Sequence, residues 1–345
     1  MIPNTATSCH KPMHKLRQEP APNWQKAMAQ AIRDPRELLA TLGLSEDQFP
    51  QGILDQPGFP LRVPRDYAAR MRRGDPDDPL LLQVLSQQTE NATVADYVRD
   101  PVGDGAATVS PGLLHKYRGR VLLVTTGACP LHCRYCFRRH FPYQDNHLDS
   151  KAWQQAIDYI AADSSIHEVI LSGGDPLSLS NERLAVISQQ LAPIRHLRRL
   201  RIHTRMPVVL PQRIDQGFCA WLRTLPWQTL IVNHCNHANE IDDSVKQAFK
   251  RLKDTGTTLL NQAVLLKKVN DSLNAQTALN ETLFEAGVLP YYLHLLDRVA
   301  GAAHFEVTAV EAQKLMHELR CQLPGYLVPR LVREQAGEDY KLPVA

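Results

Sequence analysis

From Val121 onward, short β-branched apolar runs alternate with stretches in which apolar positions recur every three or four residues. The runs cover Val121 to Thr125, Glu168 to Leu171, Leu200 to Thr204, Thr229 to Asn233, Thr258 to Leu265 and Tyr291 to Leu296, and they read as six strands. The intervening stretches carry Trp153, Ile157 and Ile160; Leu184, Ile187 and Leu191; Leu222; Val245, Phe249 and Leu252; Leu279 and Leu283; and Val310, Leu315 and Leu319 on single helical faces. The last four strands begin about 30 residues apart, the length of one βα unit. This alternation calls for a parallel sheet with right-handed crossovers, doubly wound or curled into a barrel. In both architectures ligands gather at the carboxyl ends of the strands.

Upstream the pattern is different. Residues 1–22 hold Pro3, Pro12, Pro20 and Pro22 among polar neighbours without apolar period, and read as a poorly ordered lead-in. Trp24, Ala27, Met28 and Ile32 then follow helical spacing, and Asp34-Pro35 opens a second helix carrying Leu38, Leu39 and Leu42. From Gln56 to Pro79 repeated prolines imply short helices joined by turns.

Composition narrows the function classes. The 345 residues carry 39 Lys+Arg against 36 Asp+Glu, a net charge of +3, which gives no reason to expect nucleic-acid binding through bulk charge. No run approaches the ~18 apolar residues of a membrane span, and the first residues contain no apolar signal core, so the expected location is the cytoplasm. Seven cysteines are too few for a disulfide scaffold, yet three of them, Cys129, Cys133 and Cys136, fall within eight residues.

These three lie immediately after the first strand of the alternating region. A 4Fe-4S cluster normally takes four cysteines, so three ligands leave one iron open to a chelating molecule. The alternative is a zinc site with His132 or His140 as fourth ligand, although zinc motifs usually split their ligands into separated pairs. One strand later comes Ser172-Gly173-Gly174-Asp175. Paired glycines permit close backbone approach, and Asp175 offers an acceptor for an ammonium group.

The three-then-two cysteine spacing, with Tyr135 before the last cysteine, resembles the radical S-adenosylmethionine enzymes, whose sheet is a partial six-strand βα barrel. The segments Cys136-Phe-Arg138-Arg139, Ser172 to Asp175, Pro207-Val-Val-Leu-Pro-Gln-Arg213, Asn261-Gln262-Ala-Val-Leu-Leu and Pro290-Tyr-Tyr292 through Asp297 are similar, in this order, to the lysine 2,3-aminomutase family. Upstream, Asp75-Pro-Asp-Asp-Pro79 and Pro111-Gly-Leu-Leu-His115-Lys-Tyr117 resemble it as well. The fold this implies is α/β: a partial (β/α)6 TIM-like barrel of the radical SAM type over 111–322. A helical N-terminal region at 23–110 precedes it, and a short C-terminal cofactor-binding segment follows at 323–345.

The resemblance also implies cofactors and roles. Cys129, Cys133 and Cys136 hold the 4Fe-4S cluster. S-adenosyl-L-methionine binds its open iron and contacts Ser172, Gly173, Gly174, Asp175 and Gln262. Pyridoxal 5′-phosphate is held by Lys341, which composition alone makes a solvated tail residue, and its phosphate has Lys116, Tyr117 and Arg120 as candidates. The family's glycine-rich run before the lysine is here Ala336-Gly337-Glu338-Asp339-Tyr340. Arg138 suits the substrate carboxylate through its bidentate fork. Burying a distal ammonium calls for carboxylates, and Asp297 and Glu334 match the family's acids, the latter where the family has aspartate.

The reaction implied converts L-lysine to β-lysine through a 5′-deoxyadenosyl radical, with an external electron donor. Only four residues follow Lys341, whereas stand-alone lysine-fermenting members extend further. The short chain and the helical lead-in resemble the branch that makes (R)-β-lysine for elongation factor P, with a β-lysine ligase as intermediary; a homo-oligomer is compatible with this. Competing readings are an aminomutase for another amino acid, a radical enzyme without pyridoxal phosphate, and a zinc-stapled binding module.

Overall fold

The computed structural model describes residues 23–54 and 58–344; the expected lead-in at 1–22 lies outside them. Ten strands form one sheet in chain order: β1 (Thr108–Ser110), β2 (Leu113–Tyr117), β3 (Arg120–Thr126), β4 (Glu168–Gly173), β5 (Arg199–Thr204), β6 (Gln228–His234), β7 (Thr258–Val264), β8 (Leu289–His294), β9 (Arg330–Arg333) and β10 (Leu342–Pro343). Strands β3 to β8 are the six expected ones. Each pairs in parallel with the next, with Arg120 level with Glu168, Glu168 with Arg199 and Arg199 with Gln228. A helix separates each pair, as parallel crossovers require.

The sheet curls without closing, in the manner of a partial barrel. Its parallel core is extended at one edge by the antiparallel strands β1 and β2, which bring Lys116 and Tyr117 into the sheet. At the other edge β9 pairs in parallel with β8 and turns back into β10. The C-terminal cofactor segment is thus an edge of the same sheet. Alternation along the strands assigns two faces. In β7, Leu259, Asn261 and Ala263 are buried towards the helices, while Gln262 and Val264 line a central cavity.

Helix starts are written locally. Asp149, Ser180, Asp215, Asp242, Ser272 and Thr308 each accept a backbone N–H of the first turn, capping the six longer helices described in the barrel region. Val310, expected on the buried face of the last helix, is instead 74% exposed. Ala312, Leu315, Met316 and Leu319 form the apolar stripe, and Val310 stands off it in the first turn.

Upstream, Pro35–Leu42 forms the expected helix, capped by Asp34. Ile32 falls beyond the first helix (Asn23–Ala29) and bridges to Val63 in extended backbone. Leu38, Leu39, Tyr67, Leu80 and Leu85 belong to one continuous apolar core with Trp153, Leu171 and Phe218 of the barrel. No helix among the described residues is long and apolar enough to cross a membrane.

Candidate active site

A cavity of about 770 Å³ occupies the carboxyl ends of the strands, where open α/β sheets bind ligands. The loop after β3 brings Cys129, Cys133 and Cys136 to its wall, all half-buried and none in a disulfide. Burial and mutual repulsion push the thiol of Cys129 well up and that of Cys136 to about 11. Three crowded thiols in a low-dielectric pocket are discharged by binding cationic iron, so the donor set fits an iron–sulfur cluster. The two histidines of the zinc alternative are each held through one ring nitrogen. His132 Nδ1 lies 2.8 Å from the Pro60 carbonyl with its ring stacked on Phe59, and His140 Nε2 lies 3.2 Å from the Ala300 carbonyl. Among the described residues no three His, Cys, Asp or Glu converge as a single ion would require.

The glycine pair after β4 supports that loop. Gly173 has φ +127°, and a Cβ on Gly174 would lie 2.4 Å from the Ala128 carbonyl, so the turn can carry no side chain where it passes the cysteine loop. Asp175 is occupied within the protein. Its carboxylate accepts from Leu177 N at 2.9 Å, Thr204 Oγ1 at 2.8 Å and Arg205 N at 2.8 Å. The carboxylate expected to accept from a bound ammonium thus also holds the turn after β4, and Gly173 and Gly174 line the cavity beside it. Gln262 lines the cavity with no protein partner for its amide among the described residues, which suits a contact to S-adenosylmethionine.

From the cysteine loop runs a chain of buried and half-buried ion pairs. Arg138 donates from Nε to Asp104 Oδ2 at 2.6 Å and from Nη1 to Ser172 Oγ at 3.1 Å. Asp104 pairs through Oδ1 with Lys116 Nζ at 2.6 Å, Lys116 reaches Glu334 Oε1 at 3.0 Å, and Glu334 pairs through Oε2 with Lys341. The β9–β10 register makes the last contact: Leu342 faces Arg333, so Lys341 stands opposite Glu334 across the hairpin. The lysine that composition makes a tail residue is thereby turned into the cavity.

Electrostatics follow from this crowding. Burial and the Glu334 charge raise Asp297 to about 7, with Lys341 and Lys116 opposing. Glu334 goes the other way, held far below the usual carboxylate range by Lys341 and Lys116 despite its burial. Burial also raises Asp104, but Arg138 and Lys116 outweigh it and leave the carboxyl below its ordinary value.

Lys116, expected at the cofactor phosphate, is held here by protein partners. Its ammonium is taken by Asp104, Glu334 and the Val102 carbonyl at 2.8 Å. Arg120 has no carboxylate partner among the described residues; its guanidinium lies 4.7 Å over the Tyr117 ring and beside Tyr291, where it can meet an anion. Half-buried His203 and buried His294 also line the cavity, kept neutral by desolvation and nearby cations, and their Nε2 atoms have no partner among the described residues. Lys341, an unpaired cation and orphaned imidazole nitrogens in one cavity fit pyridoxal phosphate.

Sequence reasoning missed Asp104, Arg201, His203, Arg205 and His294. Period-two inward placement could have flagged His203 and His294. Asp104 carries no signal of its own.

Residues 123–216 match the Radical SAM superfamily. Over 333 residues the chain is 48% identical to the L-lysine 2,3-aminomutase of Haemophilus influenzae, covering 95% of this chain and 98% of that protein. For the Escherichia coli K12 protein of the same name the identity is 46% over 323 residues, covering 93% and 94%. For that of Clostridium subterminale it is 33% over 324 residues, covering 93% of this chain but 77% of the relative. A solved radical SAM methyltransferase from Sphaerobacter thermophilus is 15% identical, with a TM-score of 0.44 over 64% of this chain and 68% of that one, a likeness too slight to argue from.

Proposed function

The chain belongs to the L-lysine 2,3-aminomutase family of radical S-adenosylmethionine enzymes, and from that membership we propose how its residues divide the work of moving the amino group of L-lysine from C2 to C3. The observation that carries the reading is that Cys129, Cys133 and Cys136, Lys341 and the Arg138-to-Glu334 ion chain all line one cavity. When bound, the cluster with S-adenosylmethionine supplies a hydrogen-abstracting radical and pyridoxal phosphate supplies a conjugated ring that spreads the unpaired electron.

The residues' own tasks follow from their charges. Cys129, Cys133 and Cys136 would hold the cluster, and the Gly173-Gly174 backbone with Gln262 would hold S-adenosylmethionine. Lys341 would hold pyridoxal phosphate, with Tyr117 and Arg120 at its phosphate. Arg138 keeps its Nη2 donors for the substrate carboxylate while Asp104 anchors its Nε. Glu334 and Asp297 take the distal ammonium, which moves into the place that Lys341 vacates when it engages the cofactor. A substrate with a distal carboxylate would meet two like charges there, so lysine is preferred over glutamate.

The chain also spans nearly the whole length of the first two relatives and about three-quarters of the clostridial one. We rest the (R)-β-lysine branch for elongation factor P on identities of 48% and 46% to the first two relatives against 33% to the clostridial one, with the resemblance of the N-terminal helical segment. A β-lysine ligase is then the next enzyme, and the location is cytoplasmic. Anaerobic incubation with dithionite, S-adenosylmethionine, pyridoxal phosphate and L-lysine should yield (R)-β-lysine. Exclusive (S)-product overturns the branch, and turnover without pyridoxal phosphate overturns the role of Lys341. Borohydride reduction and peptide mapping should find the pyridoxyl group on Lys341.

A further inference from the structure

A second buried polar network lies behind the cysteine loop, and none of the tasks above uses it. Its centre is Arg205, immediately after β5 and only 7% exposed. Nη1 donates to Cys133 Sγ at 2.7 Å and to the Tyr135 hydroxyl at 2.9 Å. Nη2 donates to Glu240 Oε2 at 2.7 Å, Gln83 Oε1 at 2.8 Å and the Tyr67 hydroxyl at 3.1 Å. Glu240, fully buried, is fixed in turn by the backbone N–H groups of Asn236 at 2.9 Å and His237 at 3.0 Å. The guanidinium is therefore a permanent positive charge, clamped on two sides, with one donor aimed at a single cysteine sulfur.

We propose that Arg205 is a positioning residue that sets the reduction potential of the iron–sulfur cluster through Cys133, with Glu240 as the counter-charge that limits its effect. The inference rests on reading Cys133 as a cluster ligand. Cluster potentials respond to net charge, to hydrogen bonds on the sulfurs and to solvent exposure, and Arg205 acts on the first two directly. Reduction adds one electron, delivered by the external donor, and so one negative charge to the cluster. A fixed cation at the sulfur stabilises the reduced form more than the oxidised one. Burial keeps the effect from being screened as it would be in water. Glu240 opposes it from the far side of the same guanidinium, so the two residues should shift the potential in opposite directions.

That opposition is the test. Wild type, Arg205→Gln and Glu240→Gln would be reconstituted anaerobically, assayed for iron and acid-labile sulfide, and titrated potentiometrically with the reduced cluster followed by electron paramagnetic resonance. Arg205→Gln should lower the reduced-to-oxidised ratio at fixed potential at least tenfold, a downward shift of about 59 mV for a one-electron couple. Glu240→Gln should raise the midpoint. Loaded clusters with unmoved midpoints, or shifts of the same sign in both variants, overturn the proposal, because a purely structural role has no reason to produce opposite signs. If Arg205→Gln cannot retain a cluster, Glu240→Gln decides alone: a rise supports the proposal and its absence overturns it. Wild-type protein that takes up no iron and sulfide defeats the cluster reading, and this inference with it, without any variant being needed.

Discussion

Asp297 is the residue whose protonation should show in kinetics. Its carboxyl is raised to about 7, chiefly by burial and then by Glu334, and losing the Lys341 charge to the cofactor raises it further. The protonated acid cannot pair with an ammonium, so kcat/KM for L-lysine, which reports the free enzyme, should fall about tenfold per pH unit below a midpoint at or above 7. Asp297→Asn should abolish that limb and weaken lysine binding by about 2–5 kcal/mol, the usual cost of removing one partner of a buried charged pair. A wild-type profile flat from pH 6 to 8 would remove Asp297 from the ammonium site. Asp104 invites a parallel experiment. It joins Arg138 to Lys116, so Asp104→Asn leaves buried Arg138 without its paired carboxylate and Lys116 with Glu334 only. Stability should drop by about 3 kcal/mol in denaturant titration, and KM for lysine should rise more than kcat falls. These two acids also divide what was legible. Asp297 sits in a block similar to the family. Asp104 acts through partners on β2 and on the cysteine loop, and no spacing within one segment reports such a meeting.

At the level of elements, six strands and their helices were readable because each carries its own apolar period, and the Asp, Ser or Thr caps that start the helices are local features the structure adds. The edges were not. Strands β1, β2, β9 and β10 have between two and five residues, too few for alternation to register, and their place is fixed by pairing with β3 and β8. The turn after β4 shows how a local motif serves a distant one. Gly173 and Gly174 were legible as paired glycines, but the reason for them lies in the loop they touch, since a methyl group on Gly174 would overlap the carbonyl of Ala128. Gly174→Ala should therefore push the cysteine loop outwards and cut iron and sulfide content several-fold while circular dichroism stays native. Full cluster loading in that variant would show that the loop yields more easily than its backbone contact suggests.

The whole molecule depends on the N-terminal region being part of the barrel's core. Expected boundaries at 23–110 and 111–322 describe the sequence pattern, yet Leu38, Tyr67 and Leu85 pack in the same apolar cluster as Leu171 and Phe218. Trp24 reinforces the join, lying 4.8 Å from the guanidinium of Arg213, a residue of the barrel. Functionally the region reaches the site itself, because Tyr67 and Gln83 help to clamp Arg205 and Glu90 pairs with Arg134 and Arg139 of the cysteine loop at buried positions. A chain built this way should unfold as one unit. Leu38→Ala, which empties a fully buried position more than eighty residues before the first cysteine ligand, should cost about 2–5 kcal/mol. The decisive readout is where that cost appears. Far-UV circular dichroism, dominated by barrel helices and strands, should shift to lower denaturant by the same amount as the fluorescence of a variant that keeps Trp24 as its single tryptophan. If the fluorescence transition moved alone and the barrel signal stayed at its original midpoint, the N-terminal region would be a separate domain, and its buried contacts to the cysteine loop would contribute nothing to the stability of the site.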